Sequence, residues 1–311
     1  VVLYGERAEK MLIDKYASNE ELYDDQMYYK VVNLLALKHF IKADYVSGMT
    51  YYQRVCNILE HNNMMDSREY YDALTYLVHC AYNAGEYAFV IKNAPKLEPM
   101  VFKYSDTPIE DAYLYVAYMG DAKAKSGEYK EAIYYYDEAM GLLPQLLSGS
   151  PLIVSQIQTL VARAEALNMA GEKEDAITCL TEAKWKLEKL DESADTMSLK
   201  AQILSIEGQL VPVFQDAMAC FDSALLLNQS LLANAQLESD NDYVIHTLKY
   251  RQGVFLLNKG MIQFYNGVAT DAINAFTTSA SIFQELHSQN SAEYIACQNN
   301  IALCQMNLGT T

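Results

Sequence analysis

The sequence is poor in the residues that mark several protein classes. Its 311 residues include only 6 Pro and 13 Gly, too few for an all-β chain with many turns or for a low-complexity chain. No run of about 18 uncharged apolar residues is present, so no transmembrane helix is predicted. The chain begins without a charged segment followed by an apolar one, so no signal peptide is predicted. Hydrophobic residues still make up 51%, which predicts a folded chain with a large core.

Basic residues are also scarce. Lys and Arg number 23 against 40 Asp and Glu, which gives a formal net charge of −17. Proteins that bind nucleic acids or anionic membrane surfaces need a basic surface, so neither partner is predicted. An acidic chain is better suited to a protein or peptide segment that is neutral or basic.

Sequence signatures of catalytic and metal sites are missing. None of the five His has a partner at metal-ligand spacing, and no nucleotide-binding, serine-hydrolase or zinc-protease motif occurs. The acidic run at 238–242 faintly resembles a calcium loop but lacks its Gly and closing Glu, which favours a solvated loop. We therefore expect no enzyme, no metal and no cofactor.

The six Cys are widely spaced and form no disulfide framework. Small buried apolar side chains are the favoured interpretation, including for Cys297 and Cys304, which are seven residues apart on one helix face. Free cysteines favour a reducing compartment and hence the cytoplasm. An extracytoplasmic sensor region stays open as the alternative, because the chain begins without Met and we expect it to be a piece of something longer.

A recurring turn organises the chain. In its clearest copy, Gly120 precedes a turn at Gly127, and Ala132, Tyr136 and Ala139 follow. The two alanines are seven residues apart and share one helix face, which allows a neighbouring helix to approach closely, while Tyr136 fills the groove between them. The turn position recurs at Ala43, Gly85, Gly127, Gly171, Pro212, Gly267 and Gly309. The intervals are 42, 42, 44, 41, 55 and 42 residues.

These residues resemble the tetratricopeptide repeat (TPR) signature, in which helix A, a Gly-containing turn and an Ala/aromatic/Ala helix B form each unit. The long period is similar to that of kinesin light chain and of bacterial TPR sensor and regulator proteins. The resemblance covers about residues 26–311 and implies an all-α fold, an α-α superhelix or TPR-like solenoid of antiparallel helix pairs. In the second copy Pro95 is expected to cut helix B short.

The repeat phase predicts four segments. Residues 1–25 form an N-terminal capping helix or the end of a preceding repeat, and residues 26–230 hold repeats one to five. The 55-residue interval predicts an inter-repeat insertion at 231–242. Residues 243–311 hold repeat six and helix A of repeat seven.

The resemblance also implies a binding groove lined by helix A of each repeat. The family's inner positions correspond here to a set rich in amides and tyrosines: Asn33, Phe40, Tyr76, His79, Tyr82, Asn83, Tyr118, Asp121, Lys125, Glu165, Asn168, Gln202, Gln209, Asn258, Tyr265, Asn299, Asn300 and Asn307. Asn and Gln donate and accept at once, which suits the backbone of an extended peptide. The alternative is that these residues are merely polar and face solvent. Lys125 is the one clear cation, so the clamp with which TPR co-chaperones hold an acidic carboxylate terminus is not expected.

The resemblance and this groove predict a non-enzymatic scaffold that binds a protein or peptide. Tyr is abundant, 25 of 311 residues, and suits contact surfaces because it offers apolar area and a hydroxyl. The alternative is the ligand- or peptide-sensing input region of a larger bacterial signalling protein, a sensor histidine kinase or a transcription regulator. An enzyme is the least favoured of the three.

Overall fold

A computed structural model describes residues 2–237, 242–286 and 291–309, and within them it contains helices and no strand. The chain divides into two compact units, Val1–Leu146 and Leu147–Thr311. This division lies within the predicted run of repeats at 26–230, between the third and fourth repeats. In each unit, successive helices pack as antiparallel pairs. The predicted all-α, TPR-like fold class is confirmed.

In its described residues, 2–146, unit 1 contains nine α-helices and a single 3-10 turn. The helices are α1 (Val2–Lys15), α2 (Asn19–Tyr23), α3 (Gln26–Ile41), α4 (Tyr45–His61), α5 (Arg68–Asn83), α6 (Tyr87–Asn93), α7 (Glu98–Tyr104), α8 (Pro108–Lys125) and α9 (Tyr129–Leu146), with the 3-10 turn at Ala94–Lys96. Helices A of the three repeats are α3, α5 and α8. The segment predicted as an N-terminal capping helix or the end of a preceding repeat, residues 1–25, holds α1 and α2, and α1 packs against α3.

Unit 2 contains seven described helices. They are α10 (Gly149–Ala170), α11 (Lys173–Leu187), α12 (Ala194–Leu210), α13 (Phe214–Leu237), α14 (Asp242–Tyr265), α15 (Ala269–Glu285) and α16 (Ala292–Leu308). Helices A are α10, α12, α14 and α16, and each of them packs against the next.

Six of the seven predicted turns adopt the left-handed conformation. Its φ is 81° at Gly127 and 86° at Gly171, and only Gly adopts this region without a steric cost. The fifth turn, at Pro212, is the exception. The proline ring fixes φ at a negative value and disfavours helical conformation in the residue before it. Helix α12 therefore ends at Leu210, and Val211 has an extended backbone with φ −69° and ψ 134°.

Close approach between paired helices depends on a glycine opposite an aromatic ring. A Cβ built on Gly120 would lie 2.8 Å from the Tyr136 ring, and one built on Gly260 would lie 2.7 Å from the Phe276 ring. The recurring pairs are Gly120 with Tyr136, Gly208 with Phe221, and Gly260 with Phe276. Each ring is at most 5% exposed, which confirms the predicted packing positions on helix B.

Two repeats depart from the common pattern. In the second, helix B is broken into α6, the 3-10 turn and α7, as Pro95 predicts. In the fifth, the residues predicted as an insertion at 231–242 begin as helix, because α13 runs through Leu237 and buries Leu231 and Ala235. Of the acidic run at 238–242, only Asp242 lies within the described residues, and it begins α14.

Ala43 occupies a turn position where the other left-handed repeat turns have Gly. Its φ is 54°, a region that costs an L-residue about 1 kcal/mol. We therefore expect Ala43→Gly to raise the free energy of unfolding by up to about 1 kcal/mol. Chemical denaturation followed by circular dichroism measures the change.

Ala84 provides the matched control, since it directly follows α5 and has a φ of −80°, which is ordinary right-handed helical backbone. Ala84→Gly relieves no strain and only increases the freedom of the unfolded chain, so it is expected to lower stability. Equal effects at the two positions would contradict the strain assigned to Ala43.

Candidate partner-binding surfaces

We call the surface formed by the side chains of helices A in one unit its A-helix face. In unit 1 the predicted groove residues lie on three helices, with Asn33 and Phe40 on α3, Tyr76, His79, Tyr82 and Asn83 on α5, and Tyr118, Asp121 and Lys125 on α8. Most of these are half-buried, whereas Tyr76, Asn83 and Lys125 are exposed.

Aromatic rings connect the three helices A of unit 1. Tyr82 of α5 stacks on Tyr118 of α8 with ring centroids 4.2 Å apart. The Tyr118 hydroxyl lies 2.7 Å from His79 Nδ1, and the His79 ring contacts Phe40 of α3 edge-on at 5.1 Å. Tyr76 likewise contacts Phe40, at 4.9 Å. The structure thus brings together the predicted aromatic positions of three successive repeats. Asn33 does not take part in these contacts.

Asp121 is the polar centre of this face. Its carboxylate accepts a hydrogen bond of 2.5 Å from the Tyr82 hydroxyl and one of 2.9 Å from the Tyr136 hydroxyl. Tyr136 belongs to helix B, and its sequence position indicates only a core role. Its Oη nevertheless reaches the A-helix face, a contact that the repeat pattern does not reveal because the pattern describes ring positions, not hydroxyl directions.

Burial changes the titration of this cluster. It raises the pKa of Tyr118 to about 12, and burial together with the Asp121 carboxylate raises the pKa of Tyr82 further. Burial lowers the pKa of His79, so the neutral imidazole can accept the Tyr118 proton in a hydrogen bond.

An alkaline titration tests these tyrosine shifts. Their folded-state pKa values lie above the unfolded value of roughly 10, so their contribution to stability is complete below that pH and is lost as the pH rises toward 12. We expect buried tyrosines to ionise together with loss of helix, measured as tyrosinate absorbance and circular dichroism on one sample. Full tyrosine ionisation while helicity is retained would contradict the burial of this cluster.

The A-helix face of unit 2 is rich in amides. Its predicted groove residues are Glu165 and Asn168 on α10, Gln202 and Gln209 on α12, Asn258 and Tyr265 on α14, and Asn299, Asn300 and Asn307 on α16. Asn168 Nδ2 donates to Gln209 Oε1 at 3.2 Å, which joins two successive helices A. Gln202 and Gln209 also donate to carbonyls of their own helix. Four residues of the set are exposed, namely Glu165, Tyr265, Asn299 and Asn307.

All six cysteines are free, and five are buried, including Cys297 and Cys304 between α15 and α16, as predicted.

Within residues 2–237, 242–286 and 291–309, no group of three or more His, Cys, Asp or Glu side chains is placed to hold a metal ion. None of the described helices combines the length and the apolar composition needed to cross a bilayer.

No family model matches the sequence, and no curated protein matches it either. Similarity is found among solved structures. The apo form of RapI superposes with a TM-score of 0.52 at 12% identity, covering 91% of this chain and 99% of that one. A Rap protein complexed with competence and sporulation factor superposes with a TM-score of 0.51 at 13% identity, covering 96% and 80% of the two chains.

The protein has a tetratricopeptide-repeat fold. At this level of identity the TPR similarity establishes the fold alone, and it agrees with the glycine turns and the Gly–aromatic pairs described above. The exposed predicted residues of the A-helix faces are Tyr76, Asn83 and Lys125 in unit 1, and Glu165, Tyr265, Asn299 and Asn307 in unit 2.

Proposed function

We propose that the protein is a non-enzymatic scaffold whose A-helix faces bind a protein or peptide segment. The observation that carries this proposal is the series of aromatic and amide side chains that successive helices A place side by side in each unit. Stacked tyrosines give rigid apolar area, and exposed amides can pair with both donors and acceptors of an extended backbone. A Rap protein of the same fold has been crystallised with competence and sporulation factor, which is consistent with this use of the fold.

The charge of the chain supports a neutral or basic partner. At a net charge of −17, the acidic chain favours encounter with cationic segments and disfavours nucleic acids. Direct insertion into a membrane is not part of the proposal. The alternative role, as the input region of a bacterial sensor kinase or transcription regulator, stays a prediction that the neighbouring coding sequence in the genome would test.

Selection from a displayed library of random peptides, followed by affinity measurements, tests the proposal. For peptides selected on the native protein, Asn83→Ala should reduce affinity where unit 1 is contacted, and Asn299→Ala or Asn307→Ala where unit 2 is contacted. Loss of one amide pair that contacts the peptide is expected to weaken binding about tenfold. All three side chains are exposed, so the changes should leave helicity unchanged.

Asn274 supplies the control, because it is an exposed asparagine on α15, a helix B. Asn274→Ala should leave the affinity unchanged. If it weakens binding while the three A-helix variants do not, the partner contacts the opposite surface and the proposal is wrong.

A further inference from the structure

The longest helices of unit 2 enclose a cleft that the repeat pattern does not predict. Helix α13 has 24 residues, whereas the other helices B of this unit, α11 and α15, have 15 and 17. Helix α14, a helix A, also has 24 residues. The additional turns of α13 and α14 pack beside the beginning of α12 and leave a cleft of about 310 Å³. This cleft therefore arises from the 55-residue interval that departs from the repeat period.

The lining of the cleft combines apolar and polar side chains. Leu231 of α13 and Leu248 of α14, each 7% exposed, pack together and are apolar. Ser198 of α12 and Arg251 of α14 are polar. Asp195, in the first turn of α12, also lines the cleft and is exposed at its rim.

Arg251 makes one side-chain hydrogen bond among the described residues. Its Nη1 donates to Ser198 Oγ at 2.6 Å. Among the described residues no carboxylate lies within 4.0 Å of it, and this hydrogen bond occupies one of five guanidinium N–H donors. Burial lowers the pKa of Arg251, because it removes water from the charged guanidinium. A bound anion would offset this loss of hydration.

The position of Arg251 relates the cleft to the A-helix face. Arg251 precedes Asn258 by seven residues and Tyr265 by fourteen, so the three side chains leave α14 on the same side. Ser198 precedes Gln202 by four residues on α12 and shares its face in the same way. The cleft is thus the extension of the unit 2 A-helix face toward the first turns of α12 and α14, beyond the positions implied by the family pattern.

We propose that this cleft binds a carboxylate that carries an apolar group, with Arg251 and Ser198 holding the carboxylate and Leu231 and Leu248 contacting the apolar group. The planar guanidinium presents paired N–H donors that match a carboxylate in two parallel hydrogen bonds. Two sources supply this chemistry: the apolar C-terminal residue of a peptide, and a free apolar amino acid or similar small acid. For the peptide source, the inference rests on the function proposed above.

The acidic character of the chain is compatible with such a ligand. At physiological ionic strength charges are screened over about 8 Å, so the local guanidinium dominates inside the cleft. The exposed Asp195 at the rim suits a cationic group next to the carboxylate, either the ammonium of a free amino acid or a basic side chain of a peptide. A basic peptide with an apolar C-terminal residue therefore satisfies both the surface charge and the cleft.

Calorimetric titration of the full chain with matched probes tests the proposal. The probes are N-acetyl-leucine and its amide, free leucine, and the peptide Lys-Ala-Lys-Ala-Leu with either a free or an amidated C-terminus. The free carboxylate should bind at least about tenfold more tightly than the matching amide. Tight binding of the free-terminus peptide relative to the small acids indicates a peptide source, and the reverse order indicates a small-molecule source.

Variants assign this preference to Arg251. Arg251→Gln should remove the difference between acid and amide, and Arg251→Lys should retain part of it, because lysine keeps the charge but not the planar pair of donors. Arg163→Gln, a half-buried arginine of α10 whose Nη1 contacts Cys179, should retain the full preference. Arg251→Gln is also expected to keep the melting temperature, since it removes a half-buried charge for which the described part of the chain provides no carboxylate partner.

Three results would overturn the inference: equal binding of acid and amide, a preference for the acid that survives in Arg251→Gln, or no binding of any probe at about 1 mM. A fall in melting temperature of Arg251→Gln with unchanged selectivity would instead assign Arg251 a structural role. None of these results depends on the Asn83, Asn299 and Asn307 variants. Failure at the cleft is therefore distinguishable from failure of the proposed peptide-binding function.

Discussion

Gly260→Val is expected to lower the free energy of unfolding of the unit that contains it by about 3 kcal/mol. A Cβ at position 260 would lie 2.7 and 2.8 Å from two atoms of the Phe276 ring, and that ring is fully buried. Because protein interiors are close-packed, the ring cannot move aside without displacing its own neighbours. The single tryptophan, Trp185, lies in the same unit, so denaturation followed by its fluorescence measures the change.

Two variants make this prediction specific to packing. Gly141, in α9 of unit 1, is exposed and has open space where a Cβ would be placed. Gly141→Val should therefore change the stability of unit 1, followed by circular dichroism, by no more than about 0.5 kcal/mol. Combining Gly260→Val with Phe276→Ala should cost less than the sum of the two single changes, since the valine fills part of the space left by the ring. Strict additivity would show that Gly260 and Phe276 do not press on each other.

Asp121→Ala is expected to destabilise unit 1 by about 2 to 4 kcal/mol. The carboxylate accepts hydrogen bonds from Tyr82 and Tyr136, and both rings sit in protein surroundings where a hydroxyl without an acceptor is costly. The loss follows mainly from removing the carboxylate that accepts both hydrogen bonds. Urea denaturation followed by circular dichroism measures it.

The control is the same substitution in a chain that carries Tyr82→Phe and Tyr136→Phe. In that background no hydroxyl is left without an acceptor, so Asp121→Ala should cost less than about 1 kcal/mol. An equally large cost in both backgrounds would contradict the role of Asp121 as the acceptor that joins α5, α8 and α9.

Local chain geometry explains why the repeat phase could be predicted. A left-handed turn favours Gly strongly, and six of the seven predicted turn positions have a positive φ, including Ala43, where the residue type alone does not require it. Close packing requires a small residue opposite a large one, which marks Gly120 and Tyr136. Both constraints act within about 40 residues and leave a visible pattern in the order of amino acids. At Pro212 the position was predicted, but its conformation follows from the proline ring instead.

The candidate site was predictable in part. The repeat phase places Tyr82, Tyr118 and Asp121 on helices A, and the structure brings them into contact. The repeat phase does not show which polar side chains form hydrogen bonds with each other, as Asn168 does with Gln209. Such pairing depends on the offset between successive repeats, which a period in the sequence does not specify. The exposed members, such as Asn83 and Asn299, became identifiable only from their accessibility.

By itself, then, the amino-acid sequence determined that helical hairpins pair every forty-odd residues, because turns and small-against-large packing are short-range requirements. Tertiary structure alone decided two other features: the hydroxyls of Tyr82 and Tyr136 converge on Asp121, and the lengthened α13 and α14 leave Arg251 beside a cleft. Both depend on where side chains from separate helices end in space. That position is set by helix length and stacking offset, neither of which leaves a periodic signal in the chain.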